Sequence, residues 1–546
     1  MSNENVKHSI RAVATLRPDT AGGKKDKENT SGEDEKVDKE ENSSTANALI
    51  ALAEKSCEFF HDERGNEYAV VTDQDIRRTL KLRSKHFRSW WVGTFYKTTG
   101  RVPNREALSN ALSVLEAKAT HVNSQLELFN RFAKQGEAIY IDMADDDWRA
   151  VKVTATRWEL LDKPPVLFRR YSHQQSLPDP VEGGKLSDIH DHLVIKSNDD
   201  KYLLEAYLVA CAFSDVPRPA ITFHGPQGAS KTTTARCIKA ITDPTLLGSV
   251  DLGRSTADLA QVLDHHGVPC FDNLTRIQAW AADMLCRGIT GGAFSKRELY
   301  SDDSDIILSF MRPIIITGIN IPTHAPDLLD RLLLIELDRI SPQRRLDEAT
   351  FWAKFNEDKP KLFNSLLDAI AGTLRHLPNI TLPRMARMAD FTRIACAYAE
   401  YAGIGSRKML SIIMRHTARQ TEEVLAADPV ATAIMGLVKN KKTWTGTATD
   451  LLELLNKTAP VPRPHEWPRQ PNSLTKRLNT LHSTLNDAGI RFTKAKGRKN
   501  GRMLTIEYKG KPPSPSSSAS TAPIHEDSTE DGKGQSSSPE SSGEDG

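Results

Sequence analysis

The chain has 546 residues, enough for about three domains of ordinary size. Lys plus Arg (73) and Asp plus Glu (71) nearly cancel to a net charge of +2, so a face for nucleic acid has to come from local clustering. No run approaches the ~18 apolar residues of a membrane span, the start lacks a secretory pattern, and the six cysteines show no C-x-x-C pair; a cytoplasmic protein without a zinc ribbon or disulfide framework is expected.

Residues 1–46 are rich in Lys, Glu, Asp, Ser and Gly and hold no aromatic side chain, which predicts a disordered charged tail. Residues 47–185 read as an α+β domain. They carry strand-like runs over 68–71, 138–141 and 151–154, and a helix over 105–118 with Leu108, Leu112 and Leu115 on one face. A basic cluster from Arg77 to Arg88 precedes Trp90-Trp91, a composition that suits nucleic acid. Asp142 and Asp145 form an acidic pair that a metal-dependent polymerase could use, or simply the tip of a polar hairpin. Residues 186–345 alternate apolar strands with helical stretches, which predicts an α/β domain with a mostly parallel sheet.

Within that domain the run Ala220-Ile221-Thr222-Phe223-His224 leads into Gly225-Pro226-Gln227-Gly228-Ala229-Ser230-Lys231-Thr232-Thr233, and a helix follows over 232–240. This is the G-x-x-x-x-G-K-[ST] phosphate-binding pattern, a Walker A loop, with Ser230 in place of its second glycine. Gly225 and Gly228 let backbone N–H groups turn toward phosphate oxygens, Lys231 brings a point charge to the β and γ phosphates, and Thr232 can ligate Mg²⁺. The helix N-terminus adds partial positive charge. An apolar strand over 267–271 then ends in Asp272-Asn273, where a carboxylate can hold the Mg²⁺ shell. A third strand over 313–316 ends in Thr317 and Asn320, either of which can sense the γ-phosphate or orient water. Arg331, before the strand over 332–337, is placed to act as a finger on a neighbouring subunit or to be a solvated surface arginine.

Residues 346–440 read as helical, and residues 441–510 as a winged-helix-like domain. In the latter a helix over 473–488 carries Leu474, Leu478, Leu481 and Leu485, with Lys476 and Arg477 opposite. Strands over 490–492 and 503–508 flank a turn in which Lys494, Lys496, Arg498, Lys499 and Arg502 are candidate phosphate contacts for DNA. A solubilising hairpin is the alternative. Residues 511–546 form a disordered Ser/Pro/acidic tail.

Three blocks, GPQGASKTT, PCFDNL and LCRGITGGAFSKRELYSDD, together with RPIIITGIN and DLLDRLLLIEL, resemble superfamily 3 helicases of the AAA+ class. More closely, they are similar to the P-loop ATPases and primase-helicases of bacterial phages, plasmids and integrated elements. The resemblance implies ATP and Mg²⁺ as cofactors, DNA as partner and a homo-oligomeric ring, expected to be a hexamer. It also implies a basic hairpin in the ring channel, with Lys296 and Arg297 as DNA contacts. Asn273 departs from the pattern, because many AAA+ sites have a second acid there as catalytic base; Glu298 is another carboxylate nearby in sequence. An ATP-driven DNA motor is thus expected. A nucleotide-dependent DNA-binding switch with slow turnover, or a primase fused to a helicase, are the alternatives.

Overall fold

The computed structural model describes residues 31–121, 125–297, 305–320, 325–383, 388–458, 467–496 and 502–510. Most of both predicted tails, Glu298, Arg498 and Lys499 lie outside the described residues. For Lys296, Arg297, Lys496 and Arg502 the backbone is described and the side chain is not.

The described residues fall into two compact units, one made of those up to 73 with those from 80 to 126, the other of 74–79 with those from 127 onward. In the first, the helix Ser31–Ser56 begins inside the segment whose composition suggests a tail. Glu and Lys are good helix formers, and the C-terminal part of this helix is anchored by buried Ala46, Leu49 and Ala53. The helix Lys85–Thr99 starts at Ser84, whose hydroxyl accepts the Phe87 N–H at 3.1 Å, and stops at the left-handed Gly100. Phe87, Trp91 and Phe95 recur every fourth residue and are buried. Trp91 is therefore core rather than a surface for bases, and its indole N–H donates to Leu49 O at 3.1 Å.

In the second unit, strands Phe132–Gln135, Ala138–Asp142, Ala150–Val153 and Trp158–Leu161 pair antiparallel in chain order. Ile139, Ile141, Val151 and Val153 share one core with Leu203 and Tyr207 of the helix Asn198–Ala210 and with Leu366 and Ile370 of the helix Glu348–His376. One face of these strands is thus buried on helices that lie beyond residue 185, and the other closes a small core with Val166 and Phe168.

The sheet that positions the site is parallel, in the order Cys270–Phe271, Ile315–Thr317, Ala220–His224, Leu332–Glu336. An isolated parallel bridge from Val250 to Phe271 extends it on one side. Its strands are almost continuously apolar, as expected of a parallel sheet covered on both faces. Phe223 pairs with Thr317, His224 with Glu336 and Phe271 with Ile316. Gly225, Asp272, Gly318 and Leu337 consequently leave the sheet along one edge.

A buried ion cluster fixes two of those elements together. Asp243 caps the helix Lys231–Thr242 and accepts Arg131 Nε at 2.9 Å and the Val268 N–H at 2.9 Å. Lys239 Nζ donates to Val268 O at 2.9 Å. Burial alone would raise the Asp243 pKa, but Lys239 and Arg131 hold it well below the usual carboxylate range.

The C-terminal module is built on a core that includes Val430, Ile434, Leu451, Leu474, Leu478, Phe492 and Leu504. Its apolar centre thus reaches upstream of residue 441. The strand Thr443–Thr447, not evident in the sequence pattern, pairs with Arg502–Tyr508, which pairs in turn with Ile490–Lys496. The expected helix over 473–488 is two helices, Pro471–Thr480 and His482–Asp487. The break at Leu481 keeps Leu474, Leu478, Leu481 and Leu485 all buried.

Candidate functional site

The loop between the strand Ala220–His224 and the helix Lys231–Thr242 is shaped by three residues with positive φ. Gly225 has φ 145°, and a Cβ there would lie 2.4 Å from Leu337 O, so no side chain fits. Gly228 has φ 79° and Ser230 φ 52°. Ser230, where the pattern has glycine, accepts the left-handed backbone with a small side chain. Ala229 is buried, while Pro226, Gln227 and Gly228 are exposed at the crest and Thr233 is half-buried. The loop is tied down by Gly225 N–H to Ile319 O and by Ile340 N–H to Gly228 O, both 3.3 Å.

Lys231 folds its ammonium over the loop, donating to Gly225 O and Pro226 O at 2.9 Å each. Desolvation lowers its pKa, and the nearby Asp272 opposes that shift. Asp272 accepts the Thr232 hydroxyl at 2.9 and 3.0 Å and the Thr317 hydroxyl as well. Thr317, buried at the end of its strand, also accepts the Asn273 N–H at 2.8 Å. Its carbonyl accepts the Leu274 N–H at 2.8 Å. Asn273 is held left-handed, at φ 54°, with its side chain exposed.

Lys231, Thr232, Asp272 and Thr317 are thus brought together, and Asn273 joins them through its backbone. Of the two sensor candidates, Thr317 touches the carboxylate and Asn320 is exposed beyond it. Arg331, in the turn after the short helix Pro326–Leu329, bonds back to Asp327 O of that helix and lies 3.8 Å from Asp327 Oδ1. The Asp272 carboxylate and the Thr232 hydroxyl are hard oxygen donors of the kind that suits Mg²⁺, and a glycine loop opening a helix suits a phosphate chain. Sequence reasoning missed Arg339 and Arg345. An ideal Cβ on Gly228 would lie 3.4 Å from Arg345 Nη2 and 3.9 Å from Arg339 Nε. The available signal was an arginine-rich segment directly after the strand that flanks the loop strand.

The strands Gly292–Arg297 and Asp305–Phe310 pair as a hairpin, with Lys296 opposite Ile306 and Arg297 opposite Asp305. In the C-terminal module Lys494 bonds Asn479 Oδ1 and sits 5.5 Å from the Phe492 ring centroid, and Lys496 pairs with Arg502 along the ladder. Arg477 is taken up by Asp428, which caps the helix Pro429–Lys441. Both members of the acidic pair have arginine partners: Asp142 binds Arg170, and Asp145 binds Arg149 at 2.6 Å. Among the described residues no group of three or more His, Cys, Asp or Glu is placed to hold a metal, and no helix is long and apolar enough to cross a membrane.

Residues 191–414 match the family model of the actinomycete integrative conjugative element replication protein. Residues 430–522 match the AICE RepA C-terminal domain, so the two matches together span more than half of the chain. The chain belongs to this family of replication proteins. Among solved structures, this RepA-family chain is similar to the SCCmec type IV Cch active helicase at 12% identity and a TM-score of 0.42, over 83% of this chain and 93% of that one. It is also similar to the apo C-terminal region of NrS-1 at 12% identity and a TM-score of 0.38, over 84% and 98%. No curated protein matches it.

Proposed function

We propose that this replication protein is an ATP-dependent DNA motor, a helicase-like ATPase of the superfamily 3 type in the AAA+ class, working as a homo-oligomeric ring. The observation that carries the reading is the contact of Thr232 and Thr317 with Asp272 beside a loop that presents Lys231. In this reading backbone N–H groups of residues 228–232 and Lys231 hold the phosphates of ATP. Thr232 and Asp272 hold Mg²⁺, which neutralises phosphate charge when bound. Thr317 keeps the carboxylate oriented. The strand ending in Thr317 lies between the loop strand and the carboxylate strand, which supports a sensing role for that residue.

The hairpin bearing Lys296 and Arg297, and the turn from Lys494 to Arg502 of the winged-helix-like module, are assigned to DNA phosphates. Arg331 is assigned to a neighbouring subunit's nucleotide, for which its bond to Asp327 must be exchanged. Asn273 favours a second reading, a switch that binds ATP and DNA and turns over slowly, because an amide cannot take a proton from water. The test is ATP hydrolysis with and without single-stranded DNA, alongside strand displacement, for the parental chain and Lys231→Ala. DNA-stimulated turnover and unwinding that Lys231→Ala abolishes support the motor. Nucleotide binding without turnover supports the switch, and parental hydrolysis in Lys231→Ala overturns both.

A further inference from the structure

We propose that Arg339 and Arg345 form a second cationic arm of the nucleotide site, supplied by the same chain, that holds the terminal phosphates from the side of the loop opposite Asp272. The inference rests on the nucleotide site described under the proposed function and adds to it the groups that select a triphosphate.

The segment carrying these arginines is built onto the loop. It leaves the strand Leu332–Glu336, which pairs with the loop strand along its whole length. Leu337 donates its N–H to His224 O at 2.9 Å and places its own carbonyl where a Gly225 Cβ would be. Three residues later Ile340 donates to Gly228 O. Arg339 therefore sits between two anchor points, and the turn Pro342–Arg344 brings Arg345 back toward the same glycine. The two guanidiniums come within 3.4 and 3.9 Å of one point, the place of the missing Gly228 side chain.

Both side chains are exposed, and among the described residues neither has a carboxylate partner. Other arginines of this unit are engaged: Arg236 with Glu348, Arg415 with Asp199, Arg419 with Asp200. Two like charges brought to one crest repel each other unless an anion lies between them. The crest also exposes the backbone of a left-handed glycine in a phosphate-type loop, so a polyphosphate tail is the anion that fits. A guanidinium offers a planar fork to phosphate oxygens, a geometry a lysine ammonium cannot reproduce. Lys231 serves the inner side of the loop, where it now bonds Gly225 O and Pro226 O. With the two arginines on the outer side, three cations would surround the tail, matched to a triphosphate better than to a diphosphate.

The experiment is equilibrium binding of ATP, ADP, inorganic tripolyphosphate and single-stranded DNA to the full chain by calorimetry, without need of turnover. The variants are Arg339→Gln, Arg345→Gln, the double variant and the corresponding lysine substitutions. Because both side chains are exposed, thermal melts should match the parental protein. Each glutamine substitution is expected to weaken ATP and tripolyphosphate about 10-fold, with ADP weakened less and lysine restoring only part. The loss should be the same at low and high protein concentration, since the arginines act within one chain. If the parental chain binds no ATP, the nucleotide site itself is refuted. If the parental chain binds and the double variant binds ATP and tripolyphosphate equally well, the arm is refuted and the site stands. Loss of ATP affinity with tripolyphosphate unchanged would assign the arginines to base or ribose, and loss confined to single-stranded DNA would assign them to nucleic-acid phosphates; either result overturns the inference.

Discussion

Replacing Asp272 by asparagine separates the scaffold from its charge. The carboxylate accepts Thr232 Oγ1 at 2.9 and 3.0 Å and the Thr317 hydroxyl besides. An amide of the same shape keeps an acceptor oxygen, and a hydroxyl can accept from its NH₂ as readily as it donates to a carboxylate. Each charge-assisted bond weakens to a neutral one, a loss of about 1 kcal/mol per hydroxyl and about 2 kcal/mol in all. The charge itself is removed outright. A carboxylate and a dication about 4 Å apart attract by about 8 kcal/mol at an effective dielectric constant near 20. If reorganised solvent leaves only a quarter of that, Mg²⁺ affinity still falls about 30-fold. Asp272→Asn should therefore show a modest shift in urea midpoint, retained nucleotide binding, and a half-saturating Mg²⁺ concentration raised about 30-fold or more in hydrolysis assays. An unchanged Mg²⁺ requirement would remove Asp272 from the metal shell. A stability loss well above 4 kcal/mol would show that the hydroxyl contacts are structural rather than poised.

Thr317→Val removes the acceptor of the Asn273 N–H and one donor to Asp272 at constant size. It should cost about 1–3 kcal/mol in urea unfolding and slow turnover while nucleotide still binds; unaltered stability and rate would empty that contact of meaning. Gly225→Ala drives a Cβ against Leu337 O at a φ that disfavours side chains. A loss of about 1–3 kcal/mol and of nucleotide binding is expected, and a parental melting curve would contradict the loop geometry. Neutralising Lys494, Lys496, Arg498, Lys499 and Arg502 should weaken duplex binding and flatten its salt dependence by about 0.9 in log–log slope per lost contact; a constant slope returns the turn to a solubilising role. His266, stacked on His173 at 4.1 Å, is pushed down to about 3 by burial and then by the Lys239 cation. The unfolded chain takes up that proton near 6.5, so it holds more protons between those values. Stability then falls as pH drops from ~6.5 toward 3, by up to about 1.4 kcal/mol per unit. Urea midpoints at several pH values should show a shallower acid loss in His266→Phe, and identical profiles would count against the assignment.

The loop and its neighbours were legible because their spacing has a mechanical cause. The strand Ala220–His224, the glycine turn, the helix that Lys231 opens and the apolar strand ending before Asp272 each follow from local composition, and the structure forms all four. What the sequence hid was pairing. The shared core of Ile139 and Val151 with Leu366 depends on which helix covers which sheet face, and local periodicity carries no such information. The short strand Thr443–Thr447 has one glycine and no apolar alternation, so it forms only because Arg502–Tyr508 offers an edge. Arg339 and Arg345 were invisible for the same reason: their meaning lies in a parallel register that brings residue 337 beside residue 225. Trp91 misled in the other direction, since a tryptophan beside basic residues looks like a nucleic-acid surface until its i, i+4 partners Phe87 and Phe95 show a buried stripe.

The position after Asp272 bears most directly on the choice between motor and switch. Asn273 occupies a left-handed backbone conformation in which its N–H donates to Thr317 Oγ1, and asparagine tolerates that region better than glutamate does. Backbone geometry thus disfavours glutamate at this position but not aspartate, so it does not by itself account for the amide. A motor needs its proton acceptor from another element, whereas a switch needs none. The two readings propose the same cradle for the nucleotide, so affinity for ATP cannot divide them. The rate of the chemical step can. If Asn273→Asp, which keeps the left-handed tolerance and adds a carboxylate, raises single-turnover hydrolysis many-fold without changing ATP affinity, the parental site lacks an acceptor and holds ATP as a switch. If the substitution leaves a fast step unchanged, an acceptor already reaches the water and the motor reading stands.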